Sequence, residues 1–200
     1  MKGIVFKPEM IKAIVEGRKT VIRRVIKPQP PQDCLMAVYT HDRCPNLDEW
    51  VFAGEDGDPI DAKCPQPRYQ VGETVYIKEA WATELRYNNL RPSEIPHSAK
   101  IFYANDGVGE WPINLAIGMM RSTLHLPEVF ARYFIEMKDV RAERLQEITE
   151  EDAILEGMPR VTFPRHGAII AYGKLWNSLN KDYPWESNPW VFKYEFERNT

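Results

Sequence analysis

The residues with the clearest potential for chemistry lie in a short basic segment, residues 17–24, with the sequence GRKTVIRR. Five cationic side chains and no carboxylate occur between Arg18 and Lys27, although the chain has a formal net charge of -3. A local cationic patch on an acidic protein is typical of an anion site. The alternative is structural, because basic residues after a helix also complement its dipole and keep an edge strand solvated. The pattern alone leaves both interpretations open.

The flanking sequence places this basic segment at a corner between a helix and a strand. Pro8 and Glu9 are typical of a helix start, and Gly17 can adopt the left-handed conformation that ends a helix. The β-branched residues within 21–26 predict a strand. Lys19 is therefore expected on the turn, and loops fixed between two rigid elements are common places for functional sites.

A carboxylate further along the chain, Glu79, occupies a position that strand alternation turns towards the core. Alternation over residues 74–81 puts Glu79 and Trp81 on the same face as two aliphatic residues. A carboxylate that faces the core needs a cationic or hydrogen-bonding partner, and Arg23 or Arg24 would serve. If the strand ends before Glu79, the carboxylate lies at a solvated rim instead.

A second carboxylate, Glu156, lies in the last turn of a short predicted helix. An N-cap threonine and an acidic first turn begin this helix, and Gly157 ends it. Because the helix dipole is unfavourable to an anion in the last turn, Glu156 is either solvent-exposed or paired with a cation such as Lys19. We expect the two side chains to face each other across one cleft within salt-bridge reach, with Arg23 or Arg24 on its wall.

A proline-rich segment, at about residues 28–70, is predicted to be a long insertion that contains at most a hairpin. Its candidate zinc ligands are Cys34, His41, Cys44 and Cys64. No CxxC pair pre-organises these side chains, so buried thiols are the favoured interpretation, and no metal or other cofactor is predicted. Three cysteines in a chain of 200 residues are also a poor disulfide framework, which is typical of a cytosolic protein.

The composition, with 200 residues of which 44% are hydrophobic, indicates one domain with a proper core. No apolar run is long enough to cross a bilayer and the N-terminus lacks signal-peptide features, so we expect a cytoplasmic protein with no membrane partner. Near the C-terminus, a helix over about residues 168–179 and a strand over 190–196 are predicted. The aromatic face of that strand is typical of a core wall, and a platform that stacks nucleobases is the alternative. The oligomeric state is not indicated.

Four segments of the chain together resemble an ASCH domain of the PUA-like superfamily, of the larger kind often encoded in phages and prophages. In chain order they are GRKTVIRR, VGETVYIKEAW, DVRAERLQEITEEDAILEG and NPWVFKYEFE. The resemblance runs nearly end to end and is weakest in the proline-rich insertion and over residues 84–128. It implies a single domain over residues 1–200 with an α+β fold, namely a small mixed β-barrel with helices packed around it. It also implies a cleft associated with RNA or modified nucleosides.

The same resemblance implies a catalytic set. In related bacterial amidohydrolases that deacetylate acetylcytidine, the set is a Lys and a Thr from a GRKTxTxR motif and a Glu from a TEEDA-type helix. By motif position the Lys and the Glu fall on Lys19 and Glu156, whereas the Thr position holds Ile22. An isoleucine cannot act as a nucleophile or relay a proton through a hydroxyl. Thr20 shares the strand face of Ile22 but is about 6 to 7 Å away along the strand, which is too far to replace it.

Two main functions from different classes follow. The first is a module that binds RNA or nucleosides without breaking a bond. The side chains assigned to that binding site are Arg18, Lys19, Thr20, Arg23, Arg24, Glu79 and Trp81. The second is a hydrolase, either an amidohydrolase on acylated cytidine-like nucleosides or a ribonuclease, with Lys19 as base and Glu156 as acid. A third possibility is a phage protein that binds a host protein. Ile22 favours binding over hydrolysis.

Overall fold

The protein is described here from a computed structural model, over residues 1–31, 34, 36–39, 50–54, 56, 65–107, 116–160 and 166–199. In that part of the chain the strands are β1 Lys2–Val5, β2 Val21–Val25, β3 Met36–Tyr39, β4 Trp50–Ala53, β5 Thr74–Lys78, β6 Trp81–Thr83, β7 Ile101–Tyr103, β8 Phe134–Arg144 and β9 Trp190–Asn199. The α-helices are α1 Pro8–Val15, α2 Glu150–Leu155 and α3 Gly167–Leu179. Short 3-10 turns occur in several of the connections. The protein therefore belongs to the α+β class, as the sequence predicts.

Five strands form one mixed sheet in the order β1-β5-β8-β9-β2. β1 and β5 are parallel, whereas β5 with β8 and β2 with β9 are antiparallel. Two further antiparallel pairs, β3 with β4 and β6 with β7, form separate two-stranded sheets. Among the described strands the main sheet ends at β1 and β2 and is not closed. The small barrel that the resemblance implies is therefore not shown.

The chain divides into two compact groups of residues. The first group comprises residues 1–17, 74–136 and 197–200, and the second comprises residues 18–73 and 137–196. The prediction of a single domain over residues 1–200 stays a prediction.

The first group contains α1, β1 and β5, and its helix has the ends that the sequence predicts. Pro8 occupies the first turn, and Gly17 follows the helix with φ +74°. Ile11 and Ile14 are buried because they repeat at helical spacing on one face of α1. A second apolar cluster of this group is centred on Trp81, which is fully buried.

In the second group, residues of α2 and α3 pack in one apolar cluster with Val191 of β9. The predicted aromatic residues of β9 are Trp190, Phe192, Tyr194 and Phe196, and each is at most 4% exposed. Phe192 contacts Trp50 and Tyr194 contacts Tyr69, with ring centroids 5.5 and 5.6 Å apart. These rings are a core wall, since a ring buried to this degree offers no face for a nucleobase to stack on.

The predicted proline-rich insertion contains a hairpin, formed by β3 and β4. Much of its remainder lies outside the described residues. Within the described ranges, no helix combines the length and the apolar character needed to span a bilayer.

Candidate functional site

The corner between α1 and β2 is fixed by backbone contacts with the end of α2. Lys19 and Glu156 form an isolated antiparallel bridge. The Thr20 amide donates to the Leu155 carbonyl over 2.9 Å, and the Phe196 amide donates to the Thr20 carbonyl over 2.8 Å. The segment that carries Lys19 is therefore held between α2 and β9.

Lys19 and Glu156, which are far apart in sequence, form a short buried ion pair. Lys19 Nζ lies 2.6 Å from Glu156 Oε2, so the expected salt-bridge contact is present. The same ammonium group donates to the Glu156 carbonyl over 2.8 Å and to the Val21 carbonyl over 2.7 Å. A lysine ammonium has three N–H donors, so these acceptors use all of them. Because Lys19 is 1% and Glu156 2% exposed, the pair is enclosed and does not face an open cleft.

Arg23 extends this ion pair to two further carboxylates. Its Nε donates to Glu143 over 2.7 Å, its Nη2 to Asp152 over 2.6 Å, and its Nη1 to Glu156 over 3.3 Å. The side chain of Arg23 is fully buried. The planar guanidinium group joins carboxylates from β8, from the first turn of α2 and from the end of α2.

Two more side chains, Lys193 and Tyr172, contact the carboxylates that bind Arg23. Lys193 Nζ donates to the two Asp152 carboxylate oxygens over 3.1 and 3.3 Å, and the Tyr172 hydroxyl donates to Glu156 Oε1 over 3.2 Å. The ionic network is defined as Lys19, Arg23, Glu143, Asp152, Glu156 and Lys193. Its three cations match its three carboxylates in formal charge, and Lys193 Nζ also lies 3.1 Å from Glu195 Oε1, so the arrangement has no net positive charge that would attract a phosphate.

Burial and pairing shift the pKa values of this network in opposite directions. Burial lowers the pKa of Lys19, against the opposing effect of Glu156. Burial acts upwards on the pKa of Asp152, but the hydrogen bonds and charges of Lys193 and Arg23 outweigh it, and the pKa is lowered. Burial, with the nearby Glu156, raises the pKa of Tyr172 well above its ordinary value. Such shifts occur both at functional sites and in structural ion-pair networks.

The basic segment does not form one anion site, because strand alternation divides it. Arg23 is aligned with Lys193 of β9, whereas Arg24 is aligned with Phe192. Neighbouring residues of a strand point to opposite faces, so Arg23 is buried under α2 while Arg24 is exposed. Arg18 is also exposed. Lys19 and Arg23 are therefore buried while Arg18 and Arg24 are exposed, and the assignment of these residues to a binding site stays a prediction.

An exposed arginine outside the basic segment acts on the same tyrosine as Arg24. Arg68 is exposed, and its guanidinium carbon is 5.5 Å from the ring centroid of Tyr69. Burial raises the pKa of Tyr69, and the charges of Arg68 and Arg24 both act against that rise. The name basic surface is used for the three exposed arginines Arg18, Arg24 and Arg68, of which Arg24 and Arg68 both act on Tyr69. No motif in the sequence singles out Arg68, because it lies in the irregular end of the proline-rich insertion.

Glu79 faces the core as predicted, but its partner is not an arginine of the basic segment. It is fully buried and accepts hydrogen bonds from Arg132 Nε over 2.8 Å and Nη2 over 2.9 Å. Asn105 Nδ2 donates to it over 2.8 Å. Trp81 is 0% exposed. Glu79 and Trp81 both belong to the first group of residues, and as buried side chains with packing partners of their own they are not available to a nucleic acid.

The remaining predicted site residues are Thr20, Ile22 and the four candidate zinc ligands. Thr20 is half-buried. Ile22 is 6% exposed and is aligned with Tyr194, so its side chain lies on the face of β2 opposite to Arg23. Cys34 is buried, whereas His41, Cys44 and Cys64 lie outside the described residues. Among the residues that are described, no group of three or more potential ligands is arranged to hold a metal ion.

Comparison with known proteins gives no relative: the chain matches no family model, no curated protein and no solved structure. The fold and the site therefore define the chain only as an α+β protein with a buried ionic network and with exposed arginines at positions 18, 24 and 68.

Proposed function

We propose that this chain is an ASCH-type module that binds RNA or a modified nucleoside and breaks no bond in it. The observation that carries this proposal is that some cations of the region are buried in the ionic network whereas others are exposed to solvent. Lys19, the catalytic candidate, and Arg23 are enclosed in the ionic network, whereas Arg18, Arg24 and Arg68 are exposed. The four ordered sequence segments and the Lys19–Glu156 contact support the ASCH assignment.

Binding through the basic surface agrees with the chemistry of its members. Arginine offers planar N–H donors that fit phosphate oxygens, and it also stacks on bases. Because the ionic network is neutral in formal charge, the attraction for a phosphate backbone comes from the exposed arginines rather than from Lys19. The ionic network has the role of holding the corner that presents Arg18 and Arg24.

Hydrolysis is the less favoured function because Lys19 has no lone pair to offer. Its ammonium group donates all three N–H groups, and loss of the proton would leave the Glu156 carboxylate without its closest cation. A general base must also lie within hydrogen-bond reach of the substrate, and Lys19 is 1% exposed. Ile22 supplies no hydroxyl, and it points away from the face on which Arg23 contacts Glu156.

The lowered pKa of the buried Lys19 is the one observation that favours the hydrolase alternative. A lysine of lowered pKa is a common general base. In that alternative the network would open and Lys19 would first pass a proton to Glu156. The neutral Lys19 amine would then take a proton from the water that attacks the amide carbonyl, and Glu156 would return its proton to the leaving amine. A PUA-like barrel and a phage or prophage origin belong to the ASCH assignment and rest on the order of the four segments, whereas a cytoplasmic location rests on the cysteine usage.

The proposal is tested by incubating the intact protein with acetylcytidine and with single-stranded RNA, and by mass analysis of both ligands afterwards. We expect both to remain unchanged while the RNA binds in a salt-dependent manner. Turnover of acetylcytidine that is abolished by Glu156→Gln would establish the hydrolase instead. If the RNA stays intact and does not bind at low salt, the nucleic-acid proposal fails, and a role in binding a host protein is then favoured.

A further inference from the structure

A cavity that the proposed function does not use lies within the first group of residues. Its volume is about 600 Å³, and α1 forms one wall of it. Residues 104–107, which follow β7, and residues 132–133, which precede β8, form the other wall. Sites for small molecules in proteins are typically about 300 to 1,000 Å³, so this cavity has the size of a ligand site.

The polar end of the cavity is built around Arg132, whose position is fixed from several sides. Two of its nitrogens donate to the fully buried Glu79, and Nη1 lies 2.7 Å from Asp106 Oδ1. Its guanidinium carbon lies 4.1 Å from the ring centroid of Tyr103 and 4.8 Å from that of Tyr133. Groups held in this way need no rearrangement when a ligand arrives, which preserves affinity.

The charges around the cavity favour a cationic ligand. Arg132 is already neutralised by Glu79 behind it, so its charge does not dominate the cavity. The lining also contains Asp106 together with Glu9, Lys12 and Glu16 of α1. With Glu79 included, four carboxylates stand against two cations. Complementary charge of this kind selects the sign of the ligand.

The remaining lining is apolar and can hold a hydrocarbon or aromatic body. Ile11 and Val15 come from α1, and Ala104 and the ring of Tyr133 come from the opposite wall. Ligand sites usually combine an apolar lining with a few fixed polar groups, which is the combination present in this cavity.

We propose that this cavity binds a small organic cation, with its apolar body against Ile11 and Val15 and its ammonium group beside Asp106 and Glu9. The inference does not rest on the nucleic-acid proposal, since it uses none of the residues of the basic surface or of the ionic network. A failure of one proposal leaves the other unaffected.

The test uses 2-phenylethylamine as probe and 3-phenylpropanoate as its anionic counterpart, with binding followed by amide chemical shifts of the labelled full chain. We expect saturable shifts at residues 104–107 and 132–133 with the amine, and affinity for the anion weaker by about fivefold or more. Glu9→Gln and Asp106→Asn should each weaken binding of the amine by about threefold. Asp182→Asn, an exposed change outside the cavity lining, should leave it unchanged.

Glu9→Gln keeps the test valid if Asp106→Asn disturbs Arg132, because Glu9 is an exposed side chain on α1. Absence of saturable shifts with the amine at millimolar concentration would overturn the inference. Equal affinity for the anion, or equal weakening by Asp182→Asn, would overturn it as well, because either result would remove the selection by local charge.

Discussion

Among single residues, Lys19 and Glu156 are two opposite charges that the fold buries almost completely. Removing two charged groups from water carries a large desolvation cost, which is offset only when geometry and hydrogen bonding are good. Here the ammonium group has three acceptors, and the carboxylate also accepts from Arg23 and Tyr172. Each charge is therefore compensated, and the loss of one would leave the other buried without its closest partner.

The change Glu156→Gln should destabilise the fold by about 3 kcal/mol or more, because it leaves the Lys19 ammonium buried without its carboxylate. The matched control is Glu151→Gln, which makes the same chemical change at an exposed position of α2. It should change the free energy of unfolding by no more than about 0.5 kcal/mol. Urea denaturation of both variants provides the comparison. Equal losses in the free energy of unfolding would show that the buried pair stabilises the fold no more than an exposed carboxylate does.

Pairing with a cation such as Lys19 is one of the two outcomes that the position of Glu156 in the last turn of a helix predicts, solvent exposure being the other. The partner of Glu79 could not be predicted in the same way. Arg132 is 53 positions away, and only the pairing of β5 with β8 brings the end of β5 close to the start of β8. Sequence spacing contains no information about that pairing. The prediction that Arg23 or Arg24 is the partner of Glu79 is therefore wrong.

At the scale of elements, the corner that carries the basic segment depends on how α1 ends. Gly17 has φ +74°, a conformation that costs an L-residue with a side chain about 1 kcal/mol or more. A Cβ atom added there would meet no atom within 4 Å, so backbone strain is the only expected effect.

Gly17→Ala should therefore reduce the free energy of unfolding by about 1 kcal/mol. Gly54→Ala is the matched control, because a Cβ there also meets nothing within 4 Å and Gly54 is not among the positive-φ glycines. The control should be neutral or slightly stabilising. Thermal or urea unfolding measures both, and equal behaviour of the two variants would contradict the role given to the left-handed turn.

The long elements were predictable because their periodicity is strong. The apolar residues of α1 and α3 repeat at helical spacing, and Glu79 is buried as the alternation of residues 74–81 predicts, although β5 itself ends at Lys78. Alternation in β2 likewise implies that Arg23 and Arg24 point to opposite faces. The sequence does not say which face α2 and α3 cover, and that packing decides which arginine is buried and which is exposed.

In the whole molecule, the groups that stabilise the fold and the groups proposed to bind RNA are different residues. The ionic network is neutral in formal charge and enclosed, whereas the basic surface offers exposed guanidinium groups on a chain of net charge -3. A protein with few phosphate contacts binds single-stranded RNA weakly, and its affinity falls as salt is raised. With three arginine contacts the slope of log affinity against log salt should be about -2, at roughly 0.7 for each phosphate contact.

The most direct test of the central claim is the salt-dependent titration of labelled single-stranded RNA with Arg24→Ala/Arg68→Ala. The account predicts weaker binding than for the unaltered protein and a slope reduced to about -0.7, since one of the three contacts remains. Lys174→Ala, which removes an exposed cation from α3, should retain the original affinity and slope. Original affinity and slope in the double variant would contradict the claim that the basic surface binds RNA.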